Sequence, residues 1–453
     1  MIQWGAPKII YAKEGCPLMA NRSKFAPKGV IFGRWTPPFF YGWIIVAVVF
    51  LAEFVSTGMG QITVPLFFKP MSNDLGWSLT QLTGAITAQS IAGMFISPLV
   101  GPLLDKFGAR PVMAFGALSA GLGLILLMNV NEVWHFWIAY AVVGALGLHE
   151  LGQLTGPVVV AKWFVRQRGR TIALATWGTV FGGAVMALVV GQLIGAVGWR
   201  STWGIMGLSV IFIMIPIVLI FVRRQPEDLG LLPDGDQPSA LKTSEHSVEG
   251  NVEELQWTLS EAFRTKALWL IVAGLNLVSL SAGAVNLHMV PFFTQQIGLS
   301  TKGASYILTA RLLGATLSRL PWGFVAERIP VRLALAAVFL GRSLGPLILI
   351  GIPYPYCLAP FVFFSGFIGG TIGLMQPLIF ANYYGRAFLG TIQGALRPLL
   401  MFSQLVGPLL VAVMFDYLGT FDLAFLISGI LGFVAIFVVC FATPPRHRTG
   451  ESM

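Results

Sequence analysis

Charge is what this sequence has least of. Asp, Glu, Lys and Arg make up 11% of its 453 residues, about half the share of a soluble domain. So few charges cannot clothe a soluble fold of this length. Cysteine is scarce too. Cys16, Cys357 and Cys440 make neither a disulfide framework nor a metal-ligand spacing. No nucleophile elbow, P-loop or pair of zinc ligands is present, and no soluble signalling module is attached. A membrane enzyme or a non-transporting sensor is therefore disfavoured, and no metal or cofactor is expected. No secretory signal is visible. The first 40 residues hold six Lys/Arg and several prolines without an apolar segment, which fits a disordered, basic, cytoplasmic tail. Met19 is an alternative start.

Apolar residues fill the space: 56% of the chain. They fall into blocks near the roughly 20 residues that cross a bilayer as a helix. Twelve spans are expected, at 41–68, 79–102, 111–128, 133–161, 170–198, 202–222, 267–296, 302–325, 331–349, 354–381, 387–416 and 421–442. The formal net charge of +10 does not point to nucleic acid, because the bases sit in short loops between spans. Of 29 Lys and Arg, three (Lys69, Arg200, Lys302) fall on one side. Four (Arg311, Arg319, Arg342, Arg397) fall inside spans, and 22 on the other side. The positive-inside rule makes that last side cytoplasmic, with both termini on it, in a plasma membrane.

The chain repeats itself. Gly101-Pro-Leu-Leu-Asp105-Lys106-Phe-Gly108-Ala-Arg110 is echoed by Gly323-Phe-Val-Ala-Glu327-Arg328-Ile-Pro-Val-Arg332. Each copy reads Gly, three residues, acid, base, three residues, Arg. Each lies between two apolar runs. Trp163 to Thr171 and Tyr383 to Thr391 match similarly. Two homologous halves follow. The layout expected is a tail over 1–40, an N-terminal six-helix bundle over 41–222, a cytoplasmic linker over 223–266, a C-terminal six-helix bundle over 267–442 and a tail over 443–453. Within the linker, Thr258-Leu-Ser-Glu261 fits a capping box opening a short helix.

The Gly101–Arg110 stretch resembles the loop signature of the major facilitator superfamily. Several pieces resemble its bacterial monocarboxylate porter and oxalate:formate antiporter branch: Tyr41-Gly-Trp, Asp74-Leu-Gly-Trp-Ser, Trp163-Phe-Val-Arg-Gln-Arg-Gly-Arg170, Pro226-Glu-Asp-Leu-Gly, His288-Met-Val-Pro-Phe, and Arg319 four residues before Gly323. The resemblance implies an all-α membrane protein of twelve helices in two pseudo-symmetric bundles. It implies alternating access around a central site and small organic anions as solutes. It makes Arg319 the residue that grips a carboxylate, and Arg397 a second cation. It gives Gly101, Asp105, Lys106, Gly108 and Arg110, with the echo Glu327, Arg328 and Arg332, the part of a cytoplasmic latch. The chain departs from proton-coupled members at Ala315, where they carry Asp, and at Gly60-Gln61, where they carry Lys. Those departures weigh against the usual Lys/Asp route for protons.

The charges inside spans stand out on their own chemistry. A charge at mid-bilayer costs roughly 2.5–3.5 kcal/mol, so each one faces a wet cavity or a partner. Arg319 has no acid one turn away and is free to fork onto an anion. Gln393, Arg397 and Gln404 fall on one stripe of span 11. The alternative for Arg397 is that it serves the carbonyls freed by Pro398. Arg311 is placed to draw anions in from outside. Arg342 reads as structural. Glu53, with Ser56, Thr57 and Gly60 on its face, and Glu150 are candidate proton carriers, since a carboxyl shielded from water can take up and release a proton. His149 is a third, the His149-Glu150 pair with Gln153 one turn on being open to a proton-coupling or a substrate role; no second His follows, so a metal reading fails. His288 and Asn286 in span 7 are candidates for binding or gating. Gly144, Gly147, Gly366, Gly370 and Gly373 read as helix-packing residues.

The function expected is secondary transport of a mono- or dicarboxylate, with protons or a counter-anion as the coupled species and the lipid bilayer as the solvent. The chain is expected to act as a monomer and not as an enzyme. The alternative is transport of a neutral solute or drug. Arg319 and Arg397 lie in the second half, Glu53 and Glu150 in the first. The C-terminal half is thus expected to grip the anion and the N-terminal half to handle the proton.

Overall fold

A computed structural model describes residues 38–60, 62–236 and 256–445. The expected tail before residue 38, Gln61, the linker over 237–255 and the last eight residues lie outside the described residues. Among the described residues the regular structure is all helical. Twelve spanning helices form two six-helix bundles. The first bundle holds α1 (Gly42–Gly58), α2 (Leu79–Phe107), α3 (Ala109–Leu127), α4 (133–163), α5 (168–197) and α6 (199–221). The second holds α7 (Lys266–Pro291), α8 (Thr301–Arg328), α9 (Val331–Gly351), α10 (358–384), α11 (Leu389–Leu418) and α12 (Asp422–Cys440).

Local chemistry sets the breaks. Ser78 accepts from the Gln81 N–H while Gln81 reaches back to the Ser78 N–H, a capping box that starts α2. Thr258 and Glu261 make the expected box before the short helix Leu259–Phe263. Helices α5 and α6 run on from one another through Gly198, whose φ of 80° turns the chain there. The expected first span, 41–68, is two pieces. Helix α1 stops at Gly58, and a new helix, Val64–Leu75, starts with a proline in its first turn. Pro65 has no N–H to give the preceding turn and its ring would strike that turn's carbonyl, so the helix restarts. The second piece anchors in its own bundle, where Phe67 stacks on Trp203 at 3.7 Å.

Two helices carry wide turns in register with the repeat. Helix α4 is π-helical over Val142–Gln153, and α10 over Val362–Ile368. Such turns are frequent at functional sites because they re-aim side chains.

Within the first bundle α1 packs on α5 and α3 on α4; within the second α7 packs on α11 and α12, and α9 on α12. The bundles meet along two seams, α2 with α11 and α5 with α8. Both seams depend on glycine. A Cβ on Gly394 would lie 3.1 Å from the Gly101 Cα, and one on Gly323 would lie 2.9 Å from the Gly169 carbonyl oxygen. Gly101 and Gly323 are repeat mates, so the two seams are the same contact used twice. The outer faces are apolar, with Phe95, Leu188, Phe212 and Phe437 exposed. Lipid gives such side chains the surroundings that a core gives them elsewhere.

Four of the five glycines expected to pack helices do so; Gly373 has nothing within 4 Å of where its Cβ would be and lines the central cavity instead. Gly147 gives a direct test. Its Cβ would sit 2.7 Å from the Ala120 Cα. Gly147→Leu should push α3 off α4 at a cost of about 1–3 kcal/mol and lower the melting temperature in detergent by several degrees. An unchanged melt would refute this packing.

Candidate functional site

A cavity of about 330 Å³ lies between the bundles. Helix α1 contributes Glu53, α4 contributes His149 and Gln153, and α5 contributes Thr176 and Thr179. From the other bundle come Arg319 of α8, Gln376 of α10, and Gln393, Arg397 and Gln404 of α11. Leu154, Pro157 and Leu400 are among its apolar wall residues.

The π-helical stretch of α4 delivers His149. Its Leu154 N–H donates to the His149 carbonyl at 3.0 Å, five residues back. Ser56 Oγ of α1 donates to the Leu148 carbonyl at 2.6 Å, and Thr155 Oγ1 to the Glu150 carbonyl at 2.6 Å. These bonds fix where the wide turn points. Arg397 then reaches across from α11. Its Nη2 lies 3.0 Å from His149 Nδ1 and donates to Gln153 Oε1 at 3.4 Å. Arg319 reaches across from α8 to α5, where its Nη1 donates to Thr179 Oγ1 at 2.8 Å and to the Thr176 carbonyl. The partners of both arginines are neutral. Among the described residues neither arginine is in an ion pair.

The acids are near but unjoined. Glu53 is 2% exposed and its Oε2 has no hydrogen-bond partner. It sits where glycines let α4 and α5 close on α1: a Cβ on Gly178 would lie 3.0 Å from Glu53 Cβ, and one on Gly156 3.4 Å from Glu53 Oε1. Arg319 and Arg397 both act on Glu53 through space, and Arg397 acts on Glu150. Glu150 is also 2% exposed, with both carboxyl oxygens unpartnered, and it stands behind the cavity wall. One turn before Arg397, Gln393 Nε2 is buried without a partner. Each cavity arginine is thus without a contacting counter-ion and the two buried acids hold unpartnered oxygens, an arrangement that a bound anion on the arginines and protons on the acids would complete.

The base-rich end of the molecule is closed by bonds between the bundles. Asp105, at the end of α2, accepts from the backbone N–H groups of Gly390 at 3.3 Å and Thr391 at 2.6 Å, and from Thr391 Oγ1 at 2.8 Å. That is an acid placed on the N-terminus of α11, where its charge is favoured. Lys162 adds a buried ion pair at 3.0 Å. Glu327 does the same to α5. It accepts from the Arg170 N–H at 2.9 Å and pairs with its guanidinium at 3.2 Å. Arg386 donates to the Lys162 carbonyl and to Glu227. At the opposite end the pairs Asp74 with Arg200 and Gln296 with Asp422 each stay within one bundle.

A family model for the Major Facilitator Superfamily matches residues 49–300 and 272–452. The chain belongs to the major facilitator superfamily. Human monocarboxylate transporter 11 is 24% identical over 437 residues, spanning 89% of this chain and 82% of that protein. Human monocarboxylate transporter 7 is 22% identical over 85% of this chain and 79% of its own length. Among solved structures, the E. coli fucose:proton symporter superposes with a TM-score of 0.65 at 15% identity, over 89% of this chain and 98% of that one. At that identity the likeness speaks for the fold. The protein is a multi-pass membrane transporter of the superfamily and not an enzyme.

In this transporter the expected residues divide. Arg319, Arg397, Glu53, His149 and Gln393 come together in the cavity. Arg311 does not line it; its Nε donates to Ser365 Oγ of α10 at 3.2 Å. Eight helical residues turn it about 80° away from Arg319. His288 Nε2 lies 3.1 Å from the Pro408 carbonyl, and its ring packs beside Phe421. Asn286 is exposed. Arg342 donates to the Gly369 carbonyl at 2.7 Å, the structural part expected of it. In the loop copies, the two acids and Gly101 bridge the bundles. Arg110 donates to the Leu219 carbonyl in its own bundle, Lys106 lies over the Phe107 ring, and Arg328 is exposed. Gly108 carries φ 82° between α2 and α3. Thr176, Thr179 and Gln376 went unnoticed in the sequence, because single neutral polar residues in apolar runs carry no signal.

Asp105 gives the sharpest expectation. Asp105→Asn removes the charge that pairs Lys162 and caps α11. A broken buried pair costs about 3–5 kcal/mol. The variant should expose a cysteine placed at Leu104, now 1% exposed, to a hydrophilic thiol reagent at least tenfold faster. Equal labelling rates would show that Asp105 does not hold this end closed.

Proposed function

We propose that this transporter carries a small organic anion, a mono- or dicarboxylate, by alternating access, with Arg319 and Arg397 as its carboxylate contacts. The observation that carries the reading is the pair of cavity arginines held by neutral partners alone. A guanidinium with unused donors and no counter-ion matches a carboxylate fork. The names of the monocarboxylate transporter relatives fit the same solute class.

In this reading the base-rich end faces the cytoplasm of a plasma-membrane protein, with both termini there, and the bundles at 41–222 and 267–442 rock about the cavity. Asp105 and Glu327 form the cytoplasmic latch, a pair of acid caps that break when that end opens. Gly101 lets the helices close, while Lys106, Arg110 and Arg328 serve as positive-inside residues at its rim. Glu53 and Glu150 are the candidate proton carriers, because each is a buried carboxyl with unpartnered oxygen and near a cavity arginine. Arg311, His288 and Asn286 act outside the binding step.

The test is a thermal-shift and proteoliposome uptake screen over acetate, pyruvate, lactate, oxalate and succinate. At least one should stabilise the protein. Arg319→Ala and Arg397→Ala should each weaken it at least tenfold, as loss of a charged hydrogen bond worth about 1.5–3 kcal/mol implies. Binding by no member, or undiminished binding by both variants, would end the carboxylate reading. Glu53→Gln and Glu150→Gln should between them flatten the pH dependence of uptake. If both keep the parental pH profile, neither acid carries the proton.

A further inference from the structure

The contact between Arg397 and His149 fixes more than a distance. A guanidinium has five N–H donors and no acceptor. With Arg397 Nη2 3.0 Å from His149 Nδ1, that ring nitrogen must offer a lone pair. The ring is then neutral, and its one proton resides on Nε2, on the far side of the ring from Arg397. His149 is 5% exposed and lines the cavity. The backbone beneath it is held by the Leu154 and Ser56 bonds of the wide α4 turn. Gln153 Oε1 stands beside the same Arg397 nitrogen. The ring is therefore locked in position from below and in tautomer from across the bundle interface.

We propose that His149 is a fixed neutral donor for the transported anion, its Nε2–H completing the site that Arg397 opens. It is not a proton carrier. This rests on the carboxylate reading above and deepens it. Arg397 binds one carboxylate oxygen with its unused donors, and His149 Nε2–H meets the other oxygen or an adjacent polar atom. The groups that act on the ring are Arg397 on α11 and Gln153 one turn along α4; Glu53 on α1 and Arg319 on α8 line the same cavity, and Glu150 is the next residue on α4. A proton added at Nδ1 would set two donors face to face, so this ring can charge only if Arg397 withdraws from Nδ1. The arrangement joins the bundles through the solute site. His149 belongs to the first half and Arg397 to the second, and a bound anion contacts both.

The chain has five histidines, so ¹⁵N-histidine labelling of the full chain in nanodiscs gives few signals. His149→Asn assigns the one of interest by its loss. The expected spectrum at neutral pH shows Nδ1 bare and Nε2 protonated, and Arg397→Ala should release that preference. Adding the tightest binder from the five-carboxylate panel should shift the Nε2 signal. His149→Asn keeps an acceptor for Arg397 in the Nδ1 position, but its amide N–H stands near the imidazole Cδ2 position, a bond short of Nε2; the variant should raise the dissociation constant about tenfold. A protonated Nδ1 in the native spectrum would overturn the proposal. So would a carboxylate that raises the melting temperature while leaving the His149 signal unmoved; the carboxylate reading would then survive without this donor. Binding by no panel member ends both.

Discussion

An arginine buried in a membrane protein must find something to do with its charge, and this molecule is arranged around two that find no acid. Arg319 and Arg397 spend their bonds on a carbonyl, a hydroxyl, an imidazole and an amide. Neutral acceptors satisfy the donors without cancelling the charge. The acids stay at a distance, with Glu53 and Glu150 holding unpartnered oxygens. A direct Arg–Glu pair would be locally more stable and would leave no place for an anion. The cavity thus keeps two guanidinium groups without a contacting counter-ion.

The same rule works in reverse at the base-rich end. There the charges are matched. Asp105 serves a lysine and the N-terminus of α11 together, and Glu327 serves an arginine and the N-terminus of α5. The repeat makes the two devices mates, each using the acid of one bundle to cap a helix of the other. Glycine makes them possible, because Gly101 and Gly323 let the helices approach until a short acid can reach backbone N–H groups. Charge-assisted bonds at the helix ends thus work beside apolar packing, in which Leu104 of the first bundle shares a core with Leu389 and Ile392 of the second.

The sequence showed this unevenly. Arg319, Arg397 and Glu53 announced themselves because a charge in an apolar run is conspicuous. Asp105 and Glu327 did so through the repeat. Arg311 looked equally conspicuous, yet it faces α10 and bonds Ser365, because a helix turns 100° per residue and eight residues do not return to the same face. His288 and Asn286 lie outside the cavity for the same kind of reason. Thr176, Thr179 and Gln376 line it without having drawn notice. The π-helical stretch of α4 was not visible either, since a wide turn leaves the apolar pattern almost unchanged while shifting where His149 points.

The amino-acid sequence by itself determined how often the chain crosses the membrane, that it does so as two related halves, and which few residues carry charge into the apolar region. Those are properties of composition and order, and lipid reads them segment by segment. Tertiary structure decided which of those charges meet. Arg397 and His149 are 248 residues apart, and Asp105 and Thr391 are 286 apart. Whether an arginine is paired or left open depends on neighbours that only packing brings near, because electrostatic energy falls with distance in space and knows nothing of distance along the chain.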